Sequence, residues 1–92
     1  MRESEVELHF QWAVEVAGGK TWKTKALGQR GFPDRIACLP NGQMWLVELK
    51  APKGRLSKLQ QQFAADMERL QQRYACLWRK EHIDSWIAGV TL

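Results

Sequence analysis

Apolar positions along the chain change period several times, and each change marks an element. Val6, Phe10, Ala13, Val14 and Ala17 recur every three or four residues, which predicts a first helix over Ser4 to Ala17, with Leu8 and Trp12 widening its apolar stripe. Gly18-Gly19 ends that helix. Ser4 and Glu7 have capping-box spacing, and Glu3, Glu5 and Glu7 suit the positive end of the helix dipole. Thr21 to Lys25 alternates and is rich in Thr and Trp, as a strand is. Ala26 to Gly31 reads as a loop, with Gly28 and Gly31 permitting unusual backbone angles. Two apolar runs, Asp34–Leu39 and Met44–Lys50, flank Pro40-Asn41-Gly42 and predict a hairpin. Pro52 forbids regular continuation of the ladder. Ser57 is placed to cap a second helix to about Arg73, with Leu59, Phe63, Met67 and Leu70 on one stripe. Tyr74 to Arg79 reads as a fourth strand. A strand, a helix and a strand make a β-α-β unit, so this strand is expected parallel to Met44–Lys50. Ile83 to Gly89 is a short last helix carrying Trp86 and Ile87.

The hairpin turn decides what its strands present. A two-residue Asn41-Gly42 turn would pair Asp34 with Leu49 and turn Asp34 to the wrong face. A three-residue loop of Pro40, Asn41 and Gly42 pairs Leu39 with Gln43, and therefore Asp34 with Glu48. Pro40 suits the first corner of a type I turn and Gly42 the left-handed position after it, which favours the three-residue loop. Asp34, Ile36, Cys38, Met44, Leu46, Glu48 and Lys50 then share one face. Two carboxylates side by side are costly unless a cation is shared. Hard oxygen ligands of this kind suit Mg²⁺ or Mn²⁺. The bland alternative is an ordinary hairpin with a surface Asp and a Glu–Lys pair. Pro-Asp, a hairpin and Glu-x-Lys after an apolar strand together are far more selective than Glu-x-Lys alone.

Composition fits one globular domain, residues 1–92, with 45% hydrophobic and 26% charged residues. No run approaches membrane-spanning length and no signal-peptide pattern opens the chain, so a cytoplasmic protein is expected. Cys38 and Cys76 read as small buried hydrophobes, and His9 and His82 lack partners at zinc-ligand spacing. The formal net charge is +4, but the bases concentrate between Gly18 and Gln60, where Asp34 and Glu48 are the only acids. A basic middle around two carboxylates suggests a polyanion held against a metal, although a basic surface alone is a weak signal. Five tryptophans are many for this length. They suggest an aromatic contact surface, most simply that of a symmetric homodimer, or only a Trp-rich core. Gln60, close in the chain to the end of the Glu48–Lys50 strand, is placed to overlook the carboxylates.

The order helix, strand, Pro-Asp hairpin, Glu-x-Lys, helix, strand resembles the PD-(D/E)XK nuclease superfamily. The closer resemblance is to the virus-type replication-repair nuclease (VRR-NUC) family, over nearly the whole chain. It rests on Gly31-Phe32-Pro33-Asp34-Arg35, Val47-Glu48-Leu49-Lys50-Ala51-Pro52, and Gly54-Arg55-Leu56-Ser57 with Gln60. The resemblance implies a small α/β fold with a mixed sheet of about four strands, an antiparallel hairpin plus a parallel β-α-β strand, flanked by helices. It implies a metal-dependent DNA endonuclease without an organic cofactor. Asp34, Glu48 and the Leu49 carbonyl would bind Mg²⁺ or Mn²⁺, Lys50 would position or polarise the attacking water, and Gln60 would support the site. A glutamate on the first helix also serves in the family. Glu3, three residues before Val6, matches that place, but Glu7 lies one turn along on the same face. Small members resemble homodimeric Holliday-junction resolvases, which points to branched DNA, DNA repair and a phage origin. Arg30, Lys53, Arg55 and Lys58 are expected to hold the DNA backbone without reading bases. The competing expectations are a non-catalytic DNA-binding module using the basic surface, and a protein-interaction domain using the tryptophans, which leaves the carboxylates unexplained.

Overall fold

The computed structural model describes residues 1–25 and 29–92. The part of the expected loop at residues 26–28, Gly28 included, lies outside the described residues. Helix α1 (Glu3–Val16) is followed by strands β1 (Lys20–Lys23), β2 (Arg35–Cys38) and β3 (Met44–Leu49), helix α2 (Lys58–Arg69), strand β4 (Tyr74–Leu77) and helix α3 (Lys80–Val90). The strands form one sheet in the order β1-β2-β3-β4. The pairs β1–β2 and β2–β3 are antiparallel, and β3–β4 is parallel. The expected mixed four-stranded α/β fold is therefore present.

The three-residue loop is present as well. Cys38 pairs with Met44, and the Leu39 N–H donates to the Gln43 carbonyl at 2.9 Å. Gly42 sits at φ +86°, and its N–H closes the turn onto the Leu39 carbonyl at 3.0 Å. A residue with a Cβ is strained there, so the sequence Pro-Asn-Gly sets the register of every residue beyond it.

The sheet's two faces are covered unequally. Arg35, Ala37, Val47, Leu49, Ala75 and Leu77 point into a core closed by Val6, Phe10, Ala13 and Val14 of α1 and Ile83 of α3. Truncating a fully buried Phe10 should cost about 3–5 kcal/mol. On the opposite face α2 covers mainly β4, and no residue of α2 is fully buried. Trp22 and Met44 stay exposed on that side, as Leu8, Trp12 and Val16 do along the outer stripe of α1. Leu8 and Trp12 thus do not extend the buried stripe. Trp45 and Trp86 pack edge-to-face against the core, at 5.6 Å between ring centroids.

Several local expectations are corrected. The N-cap of α1 is Arg2 with no side-chain cap, so Ser4 and Glu7 do not form a capping box. Helix α2 stops at Arg69, and β4 ends at Leu77. The N–H groups of Gln71 and Gln72 donate to the carbonyls of Glu68 and Met67, with Gln71 left-handed at φ 56°. That is a Schellman ending, ordinarily signalled by glycine. Helix α3 starts at Lys80, three residues before the expected Ile83. Cys38 and Cys76 are half-buried and free.

Candidate active site

Asp34 lies just past the last ladder pair of β2 and β3, Arg35 with Val47, so the register sets it opposite Glu48. Backbone contacts fix it. The Thr24 N–H donates to the Asp34 carbonyl at 3.1 Å, and the Thr24 hydroxyl donates to the Pro33 carbonyl. Pro33 itself is fully buried. The Leu49 N–H, freed by the end of the β2–β3 ladder, donates to Asp34 Oδ2 at 2.8 Å.

Glu48 is 1% exposed, whereas Asp34 beside it faces solvent. Burial pushes the Glu48 carboxyl from 4.5 up to about 8, reinforced by a hydrogen bond with Asp34 and by the negative charges of Asp34 and Glu3, with Lys50 opposing. The two carboxyl groups therefore lie against each other, and their proximity adds to the effect of burial on Glu48. Lys50 stands within electrostatic reach but forms no ion pair with either; its N–H continues the β3–β4 pairing onto the Leu77 carbonyl at 3.0 Å.

Gln60 joins the helix cap to this pair. Its Oε1 accepts from the Ser57 N–H at 2.8 Å, and the Ser57 hydroxyl accepts from the Gln60 N–H at 3.2 Å. The other end of the same side chain, Nε2, donates to Glu48 Oε1 at 3.1 Å. One amide thus closes the capping box of α2 and supports the buried carboxylate. Gly31, left-handed at φ +84°, lets the preceding loop lie against α2: a Cβ there would come 2.8 Å from the Cβ of Leu59. Arg30, the residue before Gly31, is exposed.

Glu3 and Glu7 both border a pocket of about 250 Å³ with Ser4, Asp34 and Leu49. Their situations differ. Glu7 is engaged by Arg35, 3.2 Å away and almost fully buried, and by Lys23 at 3.9 Å. Arg35 shares the core face with Ala37, and a buried guanidinium demands such a partner. Glu3 has no ion pair among the described residues, and its charge is felt at Glu48. Among the described residues no three His, Cys, Asp or Glu side chains gather closely enough to hold a metal ion. The donor set is two carboxylates and the intervening Leu49 backbone. That set still fits a divalent cation of the Mg²⁺ class, which retains several waters and takes one or two carboxylates.

Lys53, Arg55, Lys58 and Arg30 are all exposed. Lys53 and Arg55 lie on the loop after Lys50, held by a turn from the Gly54 N–H to the Ala51 carbonyl at 2.8 Å and by Trp78 Nε1–H donating to the Gly54 carbonyl at 3.0 Å. The first turn of α2 has no acidic residue and begins with Lys58. A lysine at a helix's positive end is electrostatically unfavourable in isolation. Cys76, paired with Glu48 across β3 and β4, has its thiol pushed up to about 12 by burial first and by Glu48 next, so it is an inert neighbour.

A solved structure described as "VRR_NUC domain" matches with a TM-score of 0.85 over 94% of this chain and 94% of that chain, at 23% identity. The chain has the VRR-NUC fold. A curated relative, "Putative nuclease p44" of Acyrthosiphon pisum secondary endosymbiont phage 1, is 44% identical over 52 residues. The alignment spans 56% of this chain and 56% of that relative, little more than half of each. No family model matches the chain. Among the described residues no helix of this VRR-NUC fold is long and apolar enough to cross a membrane.

Proposed function

We propose that this chain is a metal-dependent DNA endonuclease. The observation that carries the reading is the contact between Asp34 and Glu48, with the Leu49 N–H on one carboxylate and Gln60 on the other. Two touching acids in a fold shared with a VRR-NUC domain make a poor structural pair and a good cation site. Asp34, Glu48 and the Leu49 carbonyl would hold Mg²⁺ or Mn²⁺, which when bound supplies charge neutralisation and a water of lowered pKa. The rest falls to the chain's own groups. Lys50 supplies a positive charge beside the reacting phosphate. Gln60 keeps Glu48 facing the site. Glu3 is the α1 glutamate available to a water at the site, because Glu7 is held by Arg35. Arg30, Lys53, Arg55 and Lys58 neutralise backbone phosphates without reading bases.

Recognition by shape favours branched DNA such as a four-way junction, cut by a homodimer with one site per subunit. The outer stripe of α1 suits that pairing. Leu8 and Val16 lie four residues to either side of Trp12, and all three are exposed. Two antiparallel copies of α1 related by a twofold axis at Trp12 would set Leu8 against Val16.

The test is incubation with branched, nicked, linear and single-stranded DNA in Mg²⁺, Mn²⁺ or chelator. Cutting should require the metal and vanish in Asp34→Ala and Glu48→Gln while DNA binding persists. Binding without nicking under any metal would instead make the chain a DNA-binding module. Sedimentation of the wild type and of Trp12→Glu reads the dimer: the first should sediment as a dimer and the second as a monomer.

A further inference from the structure

A second cleft shares Asp34 and Glu7 with the pocket bordered by Glu3. It encloses about 380 Å³ between the end of β1 and the turn before β2, lined by Glu7, Lys23, Thr24, Lys25, Gln29, Phe32, Pro33 and Asp34. Its volume lies in the range of small-molecule pockets, about 300–1,000 Å³. Asp34 is its wall on the side of the carboxylate pair. Lys23 and Lys25 are exposed at its rim, and although Lys23 lies 3.9 Å from Glu7, the charge of Glu7 is answered more closely by the buried Arg35 guanidinium at 3.2 Å. Phe32 and Pro33 make an apolar wall. The Phe32 ring is braced from outside the cleft by Phe63, with centroids 5.1 Å apart.

A cleft with ammonium groups at the rim, an aromatic wall and a shared boundary with the cutting site has the chemistry of a nucleotide. We infer that it receives one unpaired nucleotide of the substrate strand, next to the scissile phosphate. Its phosphate lies between Lys23 and Lys25 and its base lies against Phe32. The inference rests on the endonuclease reading and adds a path to it. The strand runs from the Lys53–Arg55 loop, past Lys50 and Asp34, into the cleft. A paired base could not enter, so substrates with a splayed or single-stranded nucleotide at the cut are favoured over continuous duplex.

The test compares the Lys23→Ala/Lys25→Ala double variant with Lys20→Ala, which removes an exposed lysine of β1 outside the cleft. On the DNA that the wild type cuts, the double variant should raise KM at least tenfold with kcat little changed, and Lys20→Ala should change neither. Removing the base of the nucleotide beside the cut should raise KM in the wild type and add little in Phe32→Leu. A double variant indistinguishable from Lys20→Ala, or indifference of the wild type to base removal, overturns the inference. Binding of a short single-stranded oligonucleotide in the Glu48→Gln background reads the cleft separately from cutting. The slope of log affinity against log salt should fall by about 0.7 for each lysine lost. If the wild type cuts no DNA, the endonuclease reading fails, yet an unchanged slope would still refute the cleft and a reduced one would still support it.

Discussion

A Glu48 that holds a cation, as proposed, makes opposite demands on the protein with and without it, and Glu48→Gln separates them. In the folded chain its carboxyl sits at about 8 against an ordinary 4.5, chiefly through burial and then through Asp34. Between those values the folded protein holds a proton that the unfolded chain has released. The stability this group contributes is therefore full below about pH 4.5 and is lost as pH rises through about 8. At roughly 1.4 kcal/mol per pH unit the loss is about 3–5 kcal/mol. Glutamine imitates the protonated acid: its oxygen can still accept from Gln60 and its NH₂ can donate to Asp34 as a protonated Glu48 would. Metal-free wild type and Glu48→Gln should thus melt alike near pH 5 and diverge by at least about 10 °C at pH 9, taking about 4 °C per kcal/mol for a domain this size. The difference between the two curves cancels contributions from all groups common to both. Mg²⁺ should raise the wild-type melting temperature more at pH 8 than at pH 5, because the ligand must shed its proton, and should leave Glu48→Gln almost unmoved. Parallel curves from pH 5 to 9 in chelator would refute the reasoning, for Glu48 would then not be a crowded, buried acid.

Lys50→Ala should lose at least 100-fold in turnover and Lys53→Ala less than tenfold, since only Lys50 lies within electrostatic reach of Glu48; equal losses in a DNA-cutting assay would argue against the assigned role. Gln60→Glu keeps a side chain able to cap α2 while setting a third carboxylate on Glu48, so denaturation at neutral pH in Mg²⁺ should show stability within about 1 kcal/mol of wild type, with the metal-titration midpoint for cutting displaced. Gln60→Ala should lose both the cap and the support, costing about 1 kcal/mol or more. Gln71→Gly should stabilise the chain by up to about 1 kcal/mol in urea, because it relieves a left-handed glutamine at the end of α2.

How much of this could be read from the sequence depended on whether the signal was local. The hairpin register is legible because Pro40 and Gly42 dictate one turn geometry, and that geometry aligns Asp34 with Glu48. Helix boundaries were less legible where the decisive residue carries no characteristic signal. Gln71 occupies a conformation that normally announces itself as glycine, so α2 read too long. Arg2 caps α1 without a side-chain bond, so Ser4 looked like the better start. The Glu7–Arg35 pair was missed although the pattern contained it. The correct register turns Arg35 inward with Ala37 and Leu39, and an inward arginine requires an acid from the covering helix. Following that requirement would have claimed Glu7 for Arg35 and left Glu3 as the glutamate free to serve the site.

The two carboxylates are held by different kinds of structure, and this bears on how the site responds to a cation. Asp34 is fixed by two backbone donors, Leu49 at the end of β3 on its carboxylate and Thr24, just past β1, on its own carbonyl. Glu48 is held by a side chain instead, that of Gln60, at the start of a helix with no fully buried residue. A hydrogen bond from a neutral amide strengthens when its acceptor is ionised. Under the proposed metal reading, a cation that displaced the proton of Glu48 would tighten the Gln60 contact and, through the shared capping box, the first turn of α2 and the adjoining Lys58. Amide exchange in that turn should slow on adding Mg²⁺ in the wild type and stay unchanged in Gln60→Ala. Equal slowing in both would mean that α2 is steadied by some other route, and the link between Glu48 and the helix would have to be given up.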